Sequence, residues 1–121
     1  MWAADVASRA LGMELEEVRP GYARMRMPVS DSMVNGHDLC HGGLIFTLAD
    51  SAFAFACNTH GSTTLAAACD IVFVAPARRG DVLVAEASER VRFGRSGIYD
   101  VTVRRGDAVV AEFRGHSRTI E

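Results

Sequence analysis

An almost uninterrupted apolar run, residues 43–58, constrains the fold of this chain more than any other segment. It mixes bulky apolar with small side chains and carries one carboxylate, Asp50, near its middle. A helix that is apolar on nearly all sides is buried on most of them. Its exceptions recur at spacings of three and four, which places them on one helix face: Gly43, Thr47, Asp50 with Ser51, Ala54 and Asn58. The run therefore predicts a buried central helix of about four turns with one small, polar face.

The segments on both sides of this helix show the patterns of β-strands. Residues 13–19 and 22–28 alternate apolar with charged side chains around the turn pair Pro20-Gly21, which predicts an antiparallel hairpin. Four further strands are predicted after the helix, at 63–75, 81–92, 98–104 and 108–117. Their connections are too short for parallel crossovers, so the sheet should be mostly antiparallel.

Together these elements predict a single α+β domain spanning residues 1–121, with a six-stranded sheet packed against one long helix. A short amphipathic helix is expected at about 2–11, because Trp2, Val6 and Ala10 recur at roughly helical spacing before Gly12.

Charge and cysteine usage narrow the classes of function. The formal charge is −2 and the pI is near 6.1, so a basic face for nucleic acid is not expected. Three cysteines, Cys40, Cys57 and Cys69, follow no disulfide-framework spacing. The first residues lack the pattern of a signal peptide, and Asp50 interrupts the longest apolar run before it reaches membrane-spanning length. We therefore expect a cytoplasmic protein without a nucleic-acid or membrane partner.

Asp50 is the residue that most needs an explanation. Burying an isolated carboxylate costs several kcal/mol unless it is paired or hydrogen-bonded. The side chain therefore has partners, reaches water or has a raised pKa, and a carboxylate with a perturbed pKa is a functional candidate. A purely structural alternative is that Asp50 lies at a wet edge or holds a neighbouring loop through backbone hydrogen bonds.

The loop before the helix indicates a second half of a site. Residues 29–42 show no periodicity and are rich in turn formers, and long loops in compact domains are often functional. His41-Gly42-Gly43 opens the helix, whose first N–H groups have no acceptor within the helix. Such groups suit a carbonyl oxygen that gains negative charge during attack. A carboxylate and an oxyanion site are the minimum for acyl transfer.

Two other interpretations of the same residues use the cysteines. His37-x-x-Cys40 and Cys57-x-x-His60 have the ligand types and pair spacings of a zinc site. The intervening helix separates the two pairs by roughly 20 Å, however, which is too far for one ion within a subunit. Cys40 beside His41 as a nucleophile is weaker still, because adjacent residues rarely point towards each other.

Several motifs resemble the hotdog-fold acyl-CoA thioesterases, in particular those of phenylacetate degradation. The resemblance begins at Asn35 and Gly42 and continues through Leu44-Ile45-Phe46-x-Leu48-Ala49-Asp50-x-Ala52-Phe53. It extends over about residues 10–117 through weaker strand signatures: Ile71-x-Phe73-x-x-Pro76, Gly80-Asp81-x-Leu83, Gly97-x-Tyr99-x-Val101 and Ala111-x-Phe113-x-Gly115.

The resemblance implies a hotdog fold, in which the sheet wraps round the long helix, and an active site at a subunit interface. Asp50 would then be the general base or nucleophile, and the Gly42 N–H would polarise the thioester carbonyl. Asn35 would help to hold water or substrate, and His41 would orient the loop or contact the carbonyl. Ordinary loop hydrogen bonds are the alternative role for Asn35 and His41. The expected assembly is a homodimer that pairs again into a tetramer.

The implied reaction is hydrolysis of phenylacetyl-CoA, or a ring-hydroxylated form, to the acid and CoA, without a metal or redox cofactor. Expected contacts to the substrate or to CoA are Gly43, Thr47, Ser51, Arg79, Arg95 and Ser96. The alternatives are a thioesterase for another aromatic or medium-chain acyl-CoA, a dehydratase, and a non-catalytic acyl-CoA-binding protein, since one fold hosts several functions.

Overall fold

The computed structural model describes residues 1–120, in which one long helix packs against a single six-stranded sheet. The elements in chain order are α1 (Val6–Ala10), β1 (Glu14–Arg19), β2 (Tyr22–Pro28), α2 (Gly42–Cys57), β3 (Thr64–Phe73), β4 (Val82–Phe93), β5 (Ser96–Arg105) and β6 (Ala108–Thr119). The predicted central helix is confirmed to within one residue at each end. All six predicted strands are present.

The strands lie in the order β1-β2-β4-β5-β6-β3, and every neighbouring pair is antiparallel. Strand β3 follows the helix and joins the sheet beside β6, at the edge opposite β1. This arrangement leaves β1 and β3 as the two edge strands. It also places β3 alongside α2.

The period-two alternation of the strands decides which face of the sheet meets the helix. Apolar side chains of the inner face are almost fully buried against α2: Met25, Met27, Leu83, Ala85, Ala87, Tyr99, Val101, Val103, Ala111 and Phe113. The Phe53 ring of α2 lies directly over Gly115, where a Cβ atom would come within 2.7 Å of it. On the outer face Arg114 donates to both carboxylate oxygens of Asp100, at 2.7 and 2.9 Å.

The predicted helix at 2–11 is wrong as a single element. A 3₁₀ turn, Trp2–Ala4, is followed by a break at Asp5, whose side chain accepts a hydrogen bond from the Ser8 N–H and starts α1. Competition of this kind between an aspartate side chain and the backbone ends one helix and begins another. Val6, expected on the buried face, is 76% exposed.

The N-terminal segment nevertheless packs on the central helix. The Trp2 ring meets Phe55 edge-on, with centroids 5.8 Å apart. The buried Ser8 hydroxyl lies 3.0 Å from that of Ser51. Within residues 1–120, no helix is long and apolar enough to cross a membrane.

Candidate active site

Asp50 lies half-buried at the middle of α2, on the side of the helix that β3 does not cover completely. No hydrogen bond or ion pair within residues 1–120 reaches its carboxylate. Burial raises its pKa above the ordinary aspartate value, because desolvation penalises the charged form. The structure therefore excludes the loop-holding role for Asp50 and leaves a carboxylate with free acceptor oxygens.

An apolar cavity of about 570 Å³ opens beside this carboxylate. Helix α2 supplies its floor with Phe53, Ala54 and Cys57, and β3 supplies a wall with Leu65 and Ala66. Ligand cavities in proteins have volumes of this order and similarly apolar walls. The space beside Asp50 is thus large enough for an acyl group.

The far end of the cavity is polar, but its side chains are largely occupied with one another. The Asn58 amide donates to the carbonyl oxygens of Ala54 and Thr64, at 2.8 and 2.9 Å, and its oxygen accepts the Thr64 N–H. The Thr64 hydroxyl in turn lies 3.1 Å from the Ser62 carbonyl oxygen and from the Thr119 hydroxyl. These contacts fasten the start of β3 to the end of α2 and fix the cavity's shape.

The start of the helix lies at the other end of β3. Gly42 is its first residue, and no side chain caps the helix there. The edge of the Phe73 ring covers Gly42, since a Cβ atom on this glycine would lie 2.9 Å from the Phe73 Cζ atom. A larger residue at this position would therefore have to displace the Phe73 ring, so glycine keeps that ring close to the helix start.

The two predicted halves of the site are separated within one chain. Gly42 and Asp50 are eight residues apart on α2, or about 12 Å along the helix axis. One thioester carbonyl cannot meet both the Gly42 N–H and the Asp50 carboxylate of the same chain at hydrogen-bond distance. If both groups act on one carbonyl, they come from different subunits.

The loop before α2 is held by its own hydrogen bonds. The Asn35 oxygen accepts the N–H groups of His37 and Leu39, at 2.9 and 3.2 Å. The His41 N–H donates to the Met33 carbonyl oxygen at 2.9 Å, while its imidazole is exposed. Arg79 pairs with Asp31 and Asp38 of this loop. Asn35 and Arg79 thus stabilise the loop within this chain. For Asn35 this agrees with the alternative role of ordinary loop hydrogen bonds.

The predicted polar stripe of α2 is present with one exception. Gly43 is exposed, and Thr47 is half-buried with its hydroxyl donating to the Gly43 carbonyl oxygen at 2.8 Å. Ser51, in contrast, is 9% exposed and contacts Ser8 of α1. A step of one residue along a helix turns the Ser51 side chain away from Asp50 and towards α1, so nothing in this chain supports its predicted contact with substrate, which stays a prediction.

Arg95 and Ser96 line a second, smaller cavity of about 80 Å³ at the turn between β4 and β5. Cys57, Ser62 and Thr64 border both cavities, so the two spaces adjoin. Within the described part of the chain no carboxylate pairs with Arg95. The Arg92 guanidinium lies 3.4 Å from Glu89 in the same region. Basic groups therefore stand next to the cavity that Asp50 borders.

The residues of the zinc hypothesis have other surroundings. His60 lies 2.8 Å from the Glu89 carboxylate. Burial raises the pKa of the Cys57 thiol to about 11, and burial, followed by the charge of Asp81, raises that of Cys40. Zinc ligation and nucleophilic attack both need the thiolate. Among residues 1–120 no three His, Cys, Asp or Glu side chains cluster as metal ligands do.

Phe73 and Leu65 are candidate site residues that sequence reasoning missed. Both belong to β3, where they look like ordinary apolar strand residues, yet they are 50% and 54% exposed. Phe73 lies beside Gly42 and Leu65 lies in the cavity wall because β3 is an edge strand. The alternation of apolar and polar residues does not reveal the order of strands in a sheet.

Comparison with known proteins identifies the family to which the chain belongs. Residues 37–112, more than half of the chain, match the Thioesterase superfamily. The chain therefore belongs to this superfamily, its long helix and antiparallel sheet form the hotdog fold, and it is a thioester hydrolase.

Particular relatives are thioesterases named PaaI. The chain is 42% identical to the acyl-coenzyme A thioesterase PaaI of Escherichia coli K12, over 99% of this chain and 86% of the relative. The structure of E. coli PaaI from the phenylacetic acid degradation operon matches with a TM-score of 0.98 at 41% identity, covering 100% of this chain and 88% of that chain. A mutant of PaaI from Thermus thermophilus matches with a TM-score of 0.93 at 33% identity, covering 96% of this chain and 100% of that chain.

Proposed function

We propose that this protein hydrolyses arylacetyl-CoA thioesters, with phenylacetyl-CoA or a ring-hydroxylated form as substrate, in the catabolism of phenylacetate. The observation that carries the proposal is the unpartnered Asp50 carboxylate beside an apolar cavity of about 570 Å³. The 42% identity to an acyl-CoA thioesterase supports CoA as the leaving group. The relatives' connection with phenylacetic acid degradation supports the acyl group.

The carboxylate can act in two ways. As a general base, Asp50 takes a proton from water while the water oxygen attacks the carbonyl carbon. The tetrahedral intermediate then expels the CoA thiolate, which takes up a proton. As a nucleophile, Asp50 attacks the carbon itself and expels the CoA thiolate, which takes up a proton, and water then hydrolyses the resulting mixed anhydride to the free acid and the Asp50 carboxylate. Both routes need the ionised carboxylate, and the raised pKa makes it a stronger base.

The second half of the site is the helix start of a neighbouring subunit. There the Gly42 N–H would donate to the carbonyl oxygen as negative charge develops. His41 is exposed beside it and is free to contact the carbonyl, while Asn35 shapes the loop. The side of α2 that presents Gly43 and Thr47 would border the thioester. We propose a homodimer as the active unit and a pair of such dimers as the tetramer.

Basic groups beside the cavity support the binding of CoA phosphates. Arg95 and Ser96 border the smaller cavity next to the acyl space, and Arg95 has no acidic partner among residues 1–120. Guanidinium groups are well suited to phosphate oxygens. Arg79 can contribute only by leaving its pairs with Asp31 and Asp38, so we assign the larger share to Arg95. The proposed reaction uses no metal or redox cofactor.

The test is thiol release from a panel of short-chain, long-chain and aromatic acyl-CoAs. Asp50→Asn should lower kcat for phenylacetyl-CoA by several orders of magnitude, as expected when a group needed for the chemical step is lost. Asp107→Asn, which changes an exposed carboxylate in the β5–β6 turn, should leave kcat unchanged. Full activity of the Asp50→Asn variant would contradict the mechanism, and preference for an aliphatic substrate would contradict the acyl assignment.

A further inference from the structure

The Phe73 ring occupies an unusual position for a large apolar side chain. It lies on β3 at the edge of the sheet, half exposed, with its ring edge against the first residue of α2. Three ring carbons come within 2.9 to 3.4 Å of the position that a Gly42 Cβ atom would take. The ring therefore lies beside the helix start, whose first N–H groups are free, while its remaining surface is open.

The strand sets this orientation. Side chains of β3 alternate between faces, so Phe73 shares a face with Ile71, which packs against the core. Val72, between them, is 61% exposed and lies on the opposite face. Phe73 thus continues the inward-facing row of β3 beyond the point at which the core ends, and its open surface faces the region in front of Gly42.

An apolar ring at this place has two physical effects on an acyl group. It removes water from one side of the helix N–H groups, and hydrogen bonds to a developing oxyanion are stronger where water is excluded. It also offers an aromatic surface, and aromatic pairs in edge-to-face or offset geometry gain stabilisation beyond area burial. An aliphatic acyl group benefits from the first effect only.

We propose that Phe73 is a specificity-determining residue, whose ring contacts the aryl part of an arylacetyl thioester while the carbonyl oxygen lies at the Gly42 N–H. The ring and the helix start belong to one subunit, so they enter the site together opposite the Asp50 of its neighbour. This inference rests on the proposed function and adds the residue that distinguishes aromatic from aliphatic acyl groups.

The test compares kcat/KM for phenylacetyl-CoA and butyryl-CoA in three variants. Phe73→Ala should lower the value for phenylacetyl-CoA by about tenfold or more, the effect of losing one well-packed aromatic contact. Its effect on butyryl-CoA should be about threefold or less. Phe73→Leu should keep the water-excluding effect and lose the aromatic preference.

Phe93→Ala is the matched control. That ring is 55% exposed on β4, so the variant removes a similar apolar surface away from Gly42, and the ratio of the two substrates should stay at the wild-type value. Equal losses for both substrates in Phe73→Ala, or a change in oligomeric state alone, would overturn the inference and make Phe73 an interface residue. A wild-type protein that releases no thiol from any acyl-CoA would instead contradict the proposed function itself.

Discussion

The two edges of the sheet differ in chemistry. β1 carries charge at four of its six positions, and Arg24 of the neighbouring β2 pairs with Glu16 and Glu17 at 3.2 Å. β3 carries one charge in ten positions, and Leu65, Val72 and Phe73 along it are half exposed or more. Proteins protect free strand edges with charge because an uncharged edge pairs with other chains. The difference is the one expected if β1 faces solvent and β3 pairs with the partner subunit proposed above.

The same comparison explains where the chemistry lies. Asp50, Gly42 and the apolar cavity all adjoin β3, whereas the residues beside β1 form exposed surface ion pairs, which contribute little to stability. A second copy that pairs with β3 would bring its own helix start towards Asp50. Catalysis and assembly would then depend on one edge of the sheet.

Matched lysine substitutions on the two edges test this asymmetry most strongly. Val72→Lys on β3 should convert the protein to monomers and lower activity about 100-fold at low protein concentration, because a lysine places charge on a strand edge that is otherwise almost uncharged and so opposes pairing with another chain. Val18→Lys on β1, at a valine that is also exposed, should change neither property. Analytical ultracentrifugation and thiol release would measure both, and a fully active monomer of the Val72→Lys variant would contradict the interface site.

Alanine substitutions at two glycines compare the start of α2, at Gly42, with the loop before it, at Gly36. Gly42→Ala forces a methyl group against the Phe73 ring and should lower kcat about tenfold or more, with loss of an oxyanion donor as the upper limit. Gly36→Ala has open space around the new methyl group and should retain nearly full activity. Restoration of activity in the Gly42→Ala, Phe73→Ala double variant for butyryl-CoA would show that the damage is steric.

The pH dependence gives a smaller effect. Because the folded pKa of Asp50 is raised, the folded protein holds this proton more tightly than the unfolded chain does. Its contribution to stability therefore falls as pH rises from the ordinary aspartate pKa through the folded pKa. At pH 7 the free energy of unfolding of Asp50→Asn should therefore equal or exceed that of the wild type, by up to about 1 kcal/mol. Urea titrations at pH 7 and near pH 4 would show whether this advantage shrinks in acid, and a constant difference would contradict the desolvation of Asp50.

Local patterns predicted most of this fold. The helix start at residues 42–43 was visible because His-Gly-Gly precedes an apolar run, and the strands were visible in their alternation. The pattern failed at Asp5, where a side chain to backbone hydrogen bond outweighs helical spacing, and at Ser51, where the face of the helix is set by packing of the N-terminal segment. Strand order, and hence the exposure of Phe73, depends on contacts distant in sequence that periodicity does not encode.

A mixture of two impaired variants tests the shared site most directly. Asp50→Asn retains Gly42, and Gly42→Ala retains Asp50, so a hybrid dimer contains one site with both native groups. Unfolding the two variants together in equal amounts and refolding them should give half hybrid dimers and raise thiol release to about a quarter of the wild-type rate, while each variant refolded alone stays at its own lower rate. Hybrid dimers that form but recover no activity would place both groups in a site within one chain and contradict the account.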